Sequence, residues 1–236
     1  MGLNRSGAMS KYSLILLSGG IGKRMQLNIP KQFLLLAGKP IFIHVLEKVD
    51  SIEEIKEIII PCPKEFIEKT QAIINDYGFS TPISCIEGGR SRQESVYKGL
   101  LEALLDHVII HEAVRPFASR EEFKLLIQEK NESAIYGLDI PFTVLEGKSF
   151  IERNLERDRL VNAQLPHKFQ RKKLLYAHEC AREDKLEFTE DASLLFHYFK
   201  SEIKILKGSE YNIKITKPID RKIAEAVYKE SILMED

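Results

Sequence analysis

The chain of 236 residues is expected to form one α/β domain, with a mostly parallel sheet covered by helices on both faces. Two observations predict this class. Short apolar runs alternate with longer amphipathic stretches through the first half of the chain, which is typical of β-α-β-α units. In addition, 44% hydrophobic and 30% charged residues give a chain of this length a substantial core and a polar surface.

Four apolar runs in the first half are predicted to be buried strands. They are YSLILL (12–17), IKEIII (55–60), ISCIE (83–87) and HVIIHE (107–112). Three stretches between them carry apolar residues at helical spacing, at 41–49, 64–78 and 91–105. Gly78 is placed to end the second helix, and Ser91 to cap the third, with Glu94 in position for a capping box.

The alternation breaks near residue 142, where helical periodicity becomes weak. The run LEGKSFIE (145–152) predicts a hairpin that turns around Gly147 and Lys148, and we expect an arm to project from the core over about 142–170. Beyond the arm the sequence predicts further regular elements. They are helices over 171–184 and from 189, strands at EIKIL (202–206) and YNIKIT (211–216), and a C-terminal helix that opens at Pro218.

Composition excludes several classes of protein. Lys+Arg and Asp+Glu both total 35, which disfavours a dedicated nucleic-acid binder or a polybasic membrane surface. Apolar runs fall short of the roughly 20 residues needed to span a bilayer. The first eight residues resemble an expression scar without a signal peptide, so 9–236 is expected to be the domain. Cys62, Cys85 and Cys180 show neither metal nor disulfide spacing, which indicates a reducing cytoplasm.

The stretch LLSGGIGKRMQLNIPKQF (16–33) follows the first predicted strand and resembles a phosphate-binding loop. It lacks the dinucleotide fingerprint, because Met25 stands at the third glycine position. It also lacks the first glycine and the hydroxyl residue of the Walker motif. What remains is a glycine turn followed by Lys23, Arg24 and Lys31, which suits a ligand as highly charged as a triphosphate. A solvated basic loop between strand and helix is the alternative.

Four further polar clusters fall at predicted strand ends or in the loops beside them. They are EGGRSRQES (87–95), HEAVRPF (111–117), FTED (188–191) and NIKITKP (212–218). Because ligands of parallel α/β sheets bind beyond the carboxyl ends of the strands, these clusters are expected near the glycine loop.

Each cluster also has a purely structural interpretation when taken alone. Glu112 and Arg115 suit an ordinary ion pair, Thr189 a helix cap, and Lys214 a solvated side chain. The histidines follow the same logic. His44 and His111 adjoin apolar runs and are expected to be structural, whereas His167 and His178 show no metal-ligand spacing with cysteine or aspartate.

In their order and spacing, the clusters resemble the cytidylyltransferases that make CDP-polyols. This family includes 2-C-methyl-D-erythritol 4-phosphate cytidylyltransferase, of isoprenoid biosynthesis, and ribitol-5-phosphate cytidylyltransferase. The resemblance runs from about residue 12 to 228 and implies a Rossmann-like sheet, a Mg²⁺ ion and a cytoplasmic homodimer interlocked by its arms. It also implies a reaction in which a polyol phosphate oxygen attacks the α-phosphorus of CTP and pyrophosphate leaves.

The resemblance assigns roles to positions of this chain. The catalytic cations would be Arg24, Lys31 and Lys214. The nucleotide-binding positions would be Leu17, Ser18, Gly19, Gly20, Gly89, Arg92, Ser95 and Ala113. The polyol phosphate would contact Glu112, Arg115, Thr143, Arg157 and Thr189. Of these, Glu112 would stand beside the Mg²⁺ ion in place of the family's usual aspartate, and Arg157 would reach into the partner's site.

Three departures from the family pattern bear on the acceptor. In AQLPHKF (163–169), Leu165 replaces a threonine and His167 a glutamine, and Tyr211 replaces an aspartate. Because it is the commoner activity of the family that the chain resembles, 2-C-methyl-D-erythritol 4-phosphate is the first expectation for the acceptor. Ribitol 5-phosphate or another sugar-alcohol phosphate for surface polymers is the second. A non-catalytic nucleotide-binding paralogue is the alternative of another class. The joint presence of Arg24, Lys31 and Lys214 argues against it.

Overall fold

The structure, a computed structural model, describes residues 10–19 and 30–235, with side chains up to residue 230. The strands within these residues are β1 Tyr12–Leu17, β2 Leu35–Leu36, β3 Lys39–Pro40, β4 Ile55–Cys62, β5 Ile83–Glu87, β6 His107–Glu112, β7 Ala134–Asp139, β8 Leu145–Gly147, β9 Ile151–Asn154, β10 Val161–Gln170 and β11 Lys204–Lys207. Seven of them form one sheet in the order β11-β7-β10-β6-β1-β4-β5. Every neighbouring pair is parallel except those of β10, which runs antiparallel to β6 and β7. The predicted α/β class is confirmed.

Helices cover both faces of this sheet. They are α1 Ile41–Asp50, α2 Ile67–Tyr77, α3 Arg92–Glu102, α4 Arg120–Gln128, α5 Arg171–Glu183, α6 Asp191–Phe199 and α7 Pro218–Glu235. Alternate residues of β1 point to opposite faces. Leu14 and Leu16 pack in the core under α1, α2 and α4, while Ile15 and Leu17 pack under α3, α5 and α6. In the described part of the chain, no helix combines the length and apolarity that a membrane span needs.

The predicted helix signals are mostly confirmed. Gly78 follows α2 in the left-handed region, with φ of 65°. The Ser91 hydroxyl accepts the N–H of Glu94 at 3.1 Å and so caps α3. The second half of the predicted capping box differs, because the Glu94 carboxylate accepts the N–H of Arg90 instead of that of Ser91. A complete capping box forms at the start of α4, between Ser119 and Glu122.

The predicted hairpin is confirmed, but the predicted extent of the arm is wrong. Strands β8 and β9 pair with each other, and all their residues are exposed. Residues 161–170, which we assigned to the arm, form β10 inside the main sheet. Buried polar side chains hid this strand from a hydrophobicity analysis. Gln164, His167 and Lys168 lie in the interior beside Leu165 and Phe169.

The strand predicted at 211–216 is absent. In this segment the N–H of Ile215 donates to Val114, and the carbonyl of Asn212 accepts from the Arg115 side chain. The buried Asn212 amide donates to the carbonyl of Leu165 at 2.6 Å. The segment is therefore anchored to the loop after β6 and to β10, rather than paired along a neighbouring strand, and this path carries Lys214 to the carboxyl ends of the strands.

Candidate active site

A cavity of about 300 Å³ opens at the carboxyl ends of β1, β5 and β6. Its walls come from five separate segments of the chain, which the parallel sheet brings to one edge. The lining residues are Leu17, Ser18, Gly19, Lys31, Gln32, Gly89, Arg90, Ser91, Arg92, Ser95, Glu112, Val114, Lys214 and Thr216.

Two glycine turns form one side of the cavity and are held by backbone bonds to β4. The N–H of Ser18 donates to Pro61, and the N–H of Gly88 donates to Cys62. The Gly89 N–H donates to the Ser95 hydroxyl at 2.9 Å. A Cβ added to Gly89 would come within 2.4 Å of the Glu94 side chain, so this turn requires glycine. Among the described residues, the same addition at Gly19 would meet only the Ser95 hydroxyl, at 3.8 Å.

Two lysines reach the cavity from different directions and are joined through one short segment. Lys31 lies in a tight turn directly after Pro30, and its Nζ donates to the carbonyl of Thr216 at 2.8 Å. Two residues before Thr216, the Nζ of Lys214 lies 2.7 Å from the Glu112 Oε1. The contact of Lys31 with this carbonyl thus fixes the lysines relative to each other.

The charge in this cavity is predominantly positive. Glu112 is the one carboxylate among the lining residues that the structure describes, and it faces the cations of Lys214, Arg115 and Arg92 at 2.7, 3.3 and 3.9 Å. Burial alone would raise the pKa of Glu112, but these cations, Lys214 above all, hold it below its usual range. Glu112 is therefore ionised at neutral pH and still leaves a surplus of positive charge, which favours an anionic ligand.

Comparison with known proteins identifies the family of this chain. Residues 12–230 match the family model described as 2-C-methyl-D-erythritol 4-phosphate cytidylyltransferase. The chain belongs to this cytidylyltransferase family. Among curated relatives, the chloroplastic enzyme of that name from Oryza sativa is 34% identical, and the alignment covers 92% of this chain and 74% of the relative. That from Bacillus pumilus is 33% identical, with 92% and 96% covered.

Solved structures of the same family have the same fold. 4-Diphosphocytidyl-2C-methyl-D-erythritol synthase from Anaerococcus prevotii superposes with a TM-score of 0.82 at 29% identity, covering 95% of this chain and all of that one. The cytidylyltransferase from Thermus thermophilus gives a TM-score of 0.73 at 26% identity, covering 94% and 100%. The cytidylyltransferase fold therefore extends over nearly the whole chain.

Nine of the positions predicted for the cytidylyltransferase site line the cavity: Leu17, Ser18, Gly19, Lys31, Gly89, Arg92, Ser95, Glu112 and Lys214. Two more lie directly behind it. Ala113 is fully buried and its N–H donates to Leu17, while Arg115 holds Glu112 from the side. Arg24 and Gly20 lie outside the described residues.

The remaining three predicted positions do not reach the cavity within this single chain. Thr143 and Arg157 lie in the exposed arm, where Arg157 contacts Asp158 at 3.5 Å. Thr189 is exposed two residues before α6, and the following residues Glu190 and Asp191 approach the lining residue Arg92 instead, at 3.5 and 2.7 Å.

Sequence patterns missed some residues that the fold brings together. Gln32, Val114 and Thr216 line the cavity from within the recognised motifs. His167 and His178, which show no metal-ligand spacing in the sequence, each lie beside a carboxylate in the structure. The Nδ1 of His167 lies 3.2 Å from Glu190, and the Nε2 of His178 lies 3.3 Å from Asp191. No sequence spacing signals these contacts, since they join β10 and α5 to the start of α6.

Proposed function

We propose that this chain transfers the cytidylyl group of CTP to 2-C-methyl-D-erythritol 4-phosphate and releases pyrophosphate. The observation that carries the proposal is one cavity that combines two close glycine turns with Lys31 and Lys214. Membership of the cytidylyltransferase family supports the acceptor. A non-catalytic binding protein would not need two lysines that converge on one anionic ligand from different segments.

The reaction requires positioning and charge stabilisation rather than a general base. A phosphate oxygen of the acceptor forms a bond to the α-phosphorus of CTP, and the bond to the bridging oxygen of the β-phosphate breaks. The attacking oxygen is already an anion, so no proton has to be removed. Lys31 and Lys214 are placed to offset the charge that builds on the α-phosphoryl group. Glu112 keeps the Lys214 ammonium at the cavity wall, 2.7 Å away, before the phosphates arrive.

The residues present also suit a Mg²⁺ ion that arrives with the nucleotide. Mg²⁺ is usually held by one or two carboxylates together with substrate phosphates, and Glu112 supplies one carboxylate at the cavity. When bound, the ion would neutralise charge on the triphosphate and orient it. The Glu112 oxygens now face Lys214 and Arg115, so these cations would turn to the phosphates as the ion binds.

The choice of cytosine is assigned to the glycine turns. Gly19 and Gly89 bring backbone groups to the cavity surface, and Ser95 fixes the second turn through Gly89. Backbone N–H and C=O groups at the cavity surface suit the small edge of a pyrimidine, and the close approach of the two turns leaves little room for a purine.

The proposal includes a cytoplasmic homodimer. Thr143 and Arg157 lie on an arm that is too exposed to contact its own cavity, so they would act in the partner's site. The free cysteines Cys62, Cys85 and Cys180 support a reducing compartment.

A pyrophosphate-release assay tests the proposal. The enzyme would be supplied with CTP, Mg²⁺ and one acceptor at a time: 2-C-methyl-D-erythritol 4-phosphate, ribitol 5-phosphate or another sugar-alcohol phosphate. We expect the highest kcat/KM with 2-C-methyl-D-erythritol 4-phosphate. A preference for ribitol 5-phosphate would refute the acceptor but keep the reaction type. Binding of CTP without turnover of any acceptor would favour the non-catalytic paralogue.

A further inference from the structure

A buried polar cluster lies behind the cavity, and the proposed reaction does not use it. It consists of His167 on β10, His178 on α5, and Glu190 and Asp191 at the start of α6. His167 and His178 are fully buried, Asp191 is 1% exposed, and the Glu190 side chain is 29% exposed. Groups this polar are buried at a cost unless each finds a partner.

The two carboxylates divide their oxygens in the same way. Asp191 directs Oδ2 to the Arg92 guanidinium at 2.7 Å and Oδ1 to the His178 ring at 3.3 Å. Glu190 directs Oε1 to Arg92 at 3.5 Å and Oε2 to the His167 ring at 3.2 Å. Each carboxylate therefore holds Arg92 with one oxygen and turns the other towards an imidazole.

The contacts on the imidazole side are close but poorly formed. Among the described residues, neither ring nitrogen of His167 has a hydrogen bond of good geometry, and the Oε2 of Glu190 has none either. Buried polar atoms without partners are rare, and several in one place need a physical explanation such as an ion. Of these atoms, the Nδ1 of His167 and the Oε2 of Glu190 face each other at 3.2 Å.

We propose that His167, Glu190 and Asp191 bind a divalent transition-metal ion such as Zn²⁺, at a site distinct from the nucleotide cavity. Their ligand atoms lie within 4.8 Å of one another. Tetrahedral Zn²⁺ with bonds near 2.1 Å needs ligand atoms roughly 3.4 Å apart. Small rotations of the three side chains would therefore bring their ligand atoms to the separation that the ion requires. A mixture of imidazole nitrogen and carboxylate oxygen selects Zn²⁺ over Mg²⁺, which prefers oxygen ligands alone.

The groups around these three residues suit a metal centre. Arg92 lies against one oxygen of each carboxylate and would orient both ligands, as hydrogen-bonded outer groups do in metal sites. His178 lies 3.3 Å from the Oδ1 of Asp191 and would help to orient this ligand. The partial exposure of Glu190 gives the ion a route from solvent.

Direct metal binding tests this proposal without any activity measurement. Chelator-treated protein would be titrated with Zn²⁺ against a chromophoric competitor, in buffer with excess Mg²⁺, and then with Co²⁺ in a spectrophotometer. We expect one tight site and visible Co²⁺ bands typical of nitrogen and oxygen ligands. His167→Gln and Glu190→Gln should each weaken Zn²⁺ binding by at least about 10-fold. The matched control is His197→Gln, at an exposed position of the same helix as Asp191, and it should bind like the wild type.

Circular dichroism and melting curves would show that each variant is folded. If the variant at the buried His167 does not fold, Glu190→Gln still tests the proposal. Wild-type affinity in a folded Glu190→Gln variant would overturn the proposal. Intense sulfur-to-Co²⁺ charge-transfer bands would overturn it too, because they would place the metal on a cysteine.

Discussion

At the scale of single residues, the proposed chemistry depends on a few side chains whose positions are fixed before substrate arrives. Lys31 is the clearest of them. Its side chain is only 8% exposed, and its Nζ reaches across to the carbonyl of Thr216. A lysine held in this way loses little conformational freedom when it contacts a phosphate, which is the condition for preorganised charge stabilisation.

Replacing Lys31 with alanine should therefore lower kcat by roughly 10²-fold or more, the scale expected when one preorganised donor is removed. The affinity for CTP should change much less, because the other cations of the cavity remain. Steady-state kinetics with pyrophosphate detection and calorimetry with CTP would measure the two effects. Lys204→Ala, on the exposed β11, is the control. An unchanged kcat with a good acceptor would show that Lys31 contributes to ligand binding but not to stabilisation of the transition state.

The two glycine turns give a matched pair of substitutions. In Gly19→Ala the new methyl group meets, within the described part of the chain, only the Ser95 hydroxyl, at 3.8 Å, so the fold should tolerate it, but the methyl would enter the cavity. In Gly89→Ala the methyl would clash with Glu94 at 2.4 Å. We expect Gly19→Ala to keep its melting temperature and bind CTP at least about 10-fold more weakly, a loss of some 1.4 kcal/mol. Gly89→Ala should melt at a lower temperature.

Calorimetry and thermal melting of both variants separate these outcomes. If Gly19→Ala bound CTP like the wild type, the cytosine would not lie against this turn, and the assignment of nucleotide selection would be wrong.

At the scale of elements, the parts that could be predicted from sequence were those with a regular hydrophobic pattern. Strands β1 and β6 were predicted to the residue because each is an apolar run buried on both faces. Strand β10 was not, because buried polar residues such as Gln164 and Lys168 interrupt it, and their partners lie far along the chain. The strand predicted at 211–216 was wrong for a related reason, since only tertiary contacts define the path of this segment.

The arm carries large apolar side chains that no element of its own chain covers among the described residues. Phe142, Phe150 and Ile151 are 76%, 84% and 71% exposed. Exposed apolar surface of this kind usually marks an interface. We expect a dimer in solution that dissociates when Phe150 and Ile151 are both changed to serine, while serine at Leu104, an equally exposed position away from the arm, has no effect. Sedimentation analysis measures this, and a monomeric wild type would contradict it.

Arg157 allows a sharper test of the arm. It should complete the partner's acceptor site, because a guanidinium binds phosphate bidentately, so Arg157→Ala should raise KM for the acceptor and spare CTP binding. The acceptor concentration is first set low enough for the Arg157→Ala variant to be nearly inactive. Mixing Lys31→Ala and Arg157→Ala subunits should then restore activity, since a mixed dimer contains one site with both residues intact. If labelled subunits exchange and activity stays absent, the two residues act within one chain.

At the scale of the whole molecule, the buried histidines should make stability depend on pH. His44, His111 and His167 lie in the interior, and burial lowers the pKa of each, to about 4 for His111 and about 3 for His167. Below pH 6.5 these histidines therefore bind protons in the unfolded chain but stay neutral in the folded chain. Glu190 acts in the opposite direction. Its pKa, raised by burial to about 7, lets the folded chain take up a proton before the unfolded one does.

Burial also raises the pKa of Glu122, which acts in the same direction as Glu190. Three imidazoles outweigh these two carboxyl groups, so the free energy of unfolding should be highest near or above pH 6.5 and fall as the pH decreases towards 5. Each net proton contributes a slope of up to about 1.4 kcal/mol per pH unit. Glu190→Gln removes one opposing group, so its loss of stability between pH 7.5 and 5 should be steeper than that of the wild type. At pH 7.5 the free energy of unfolding of Glu190→Gln should exceed that of the wild type, and this difference should vanish near pH 5. Urea unfolding at several pH values, with a chelator present to exclude metal binding, measures both slopes. Two results together would contradict the protonation states assigned to these buried groups. The wild type would be equally stable at pH 7.5 and 5, and the stability of Glu190→Gln would have the same pH dependence as that of the wild type.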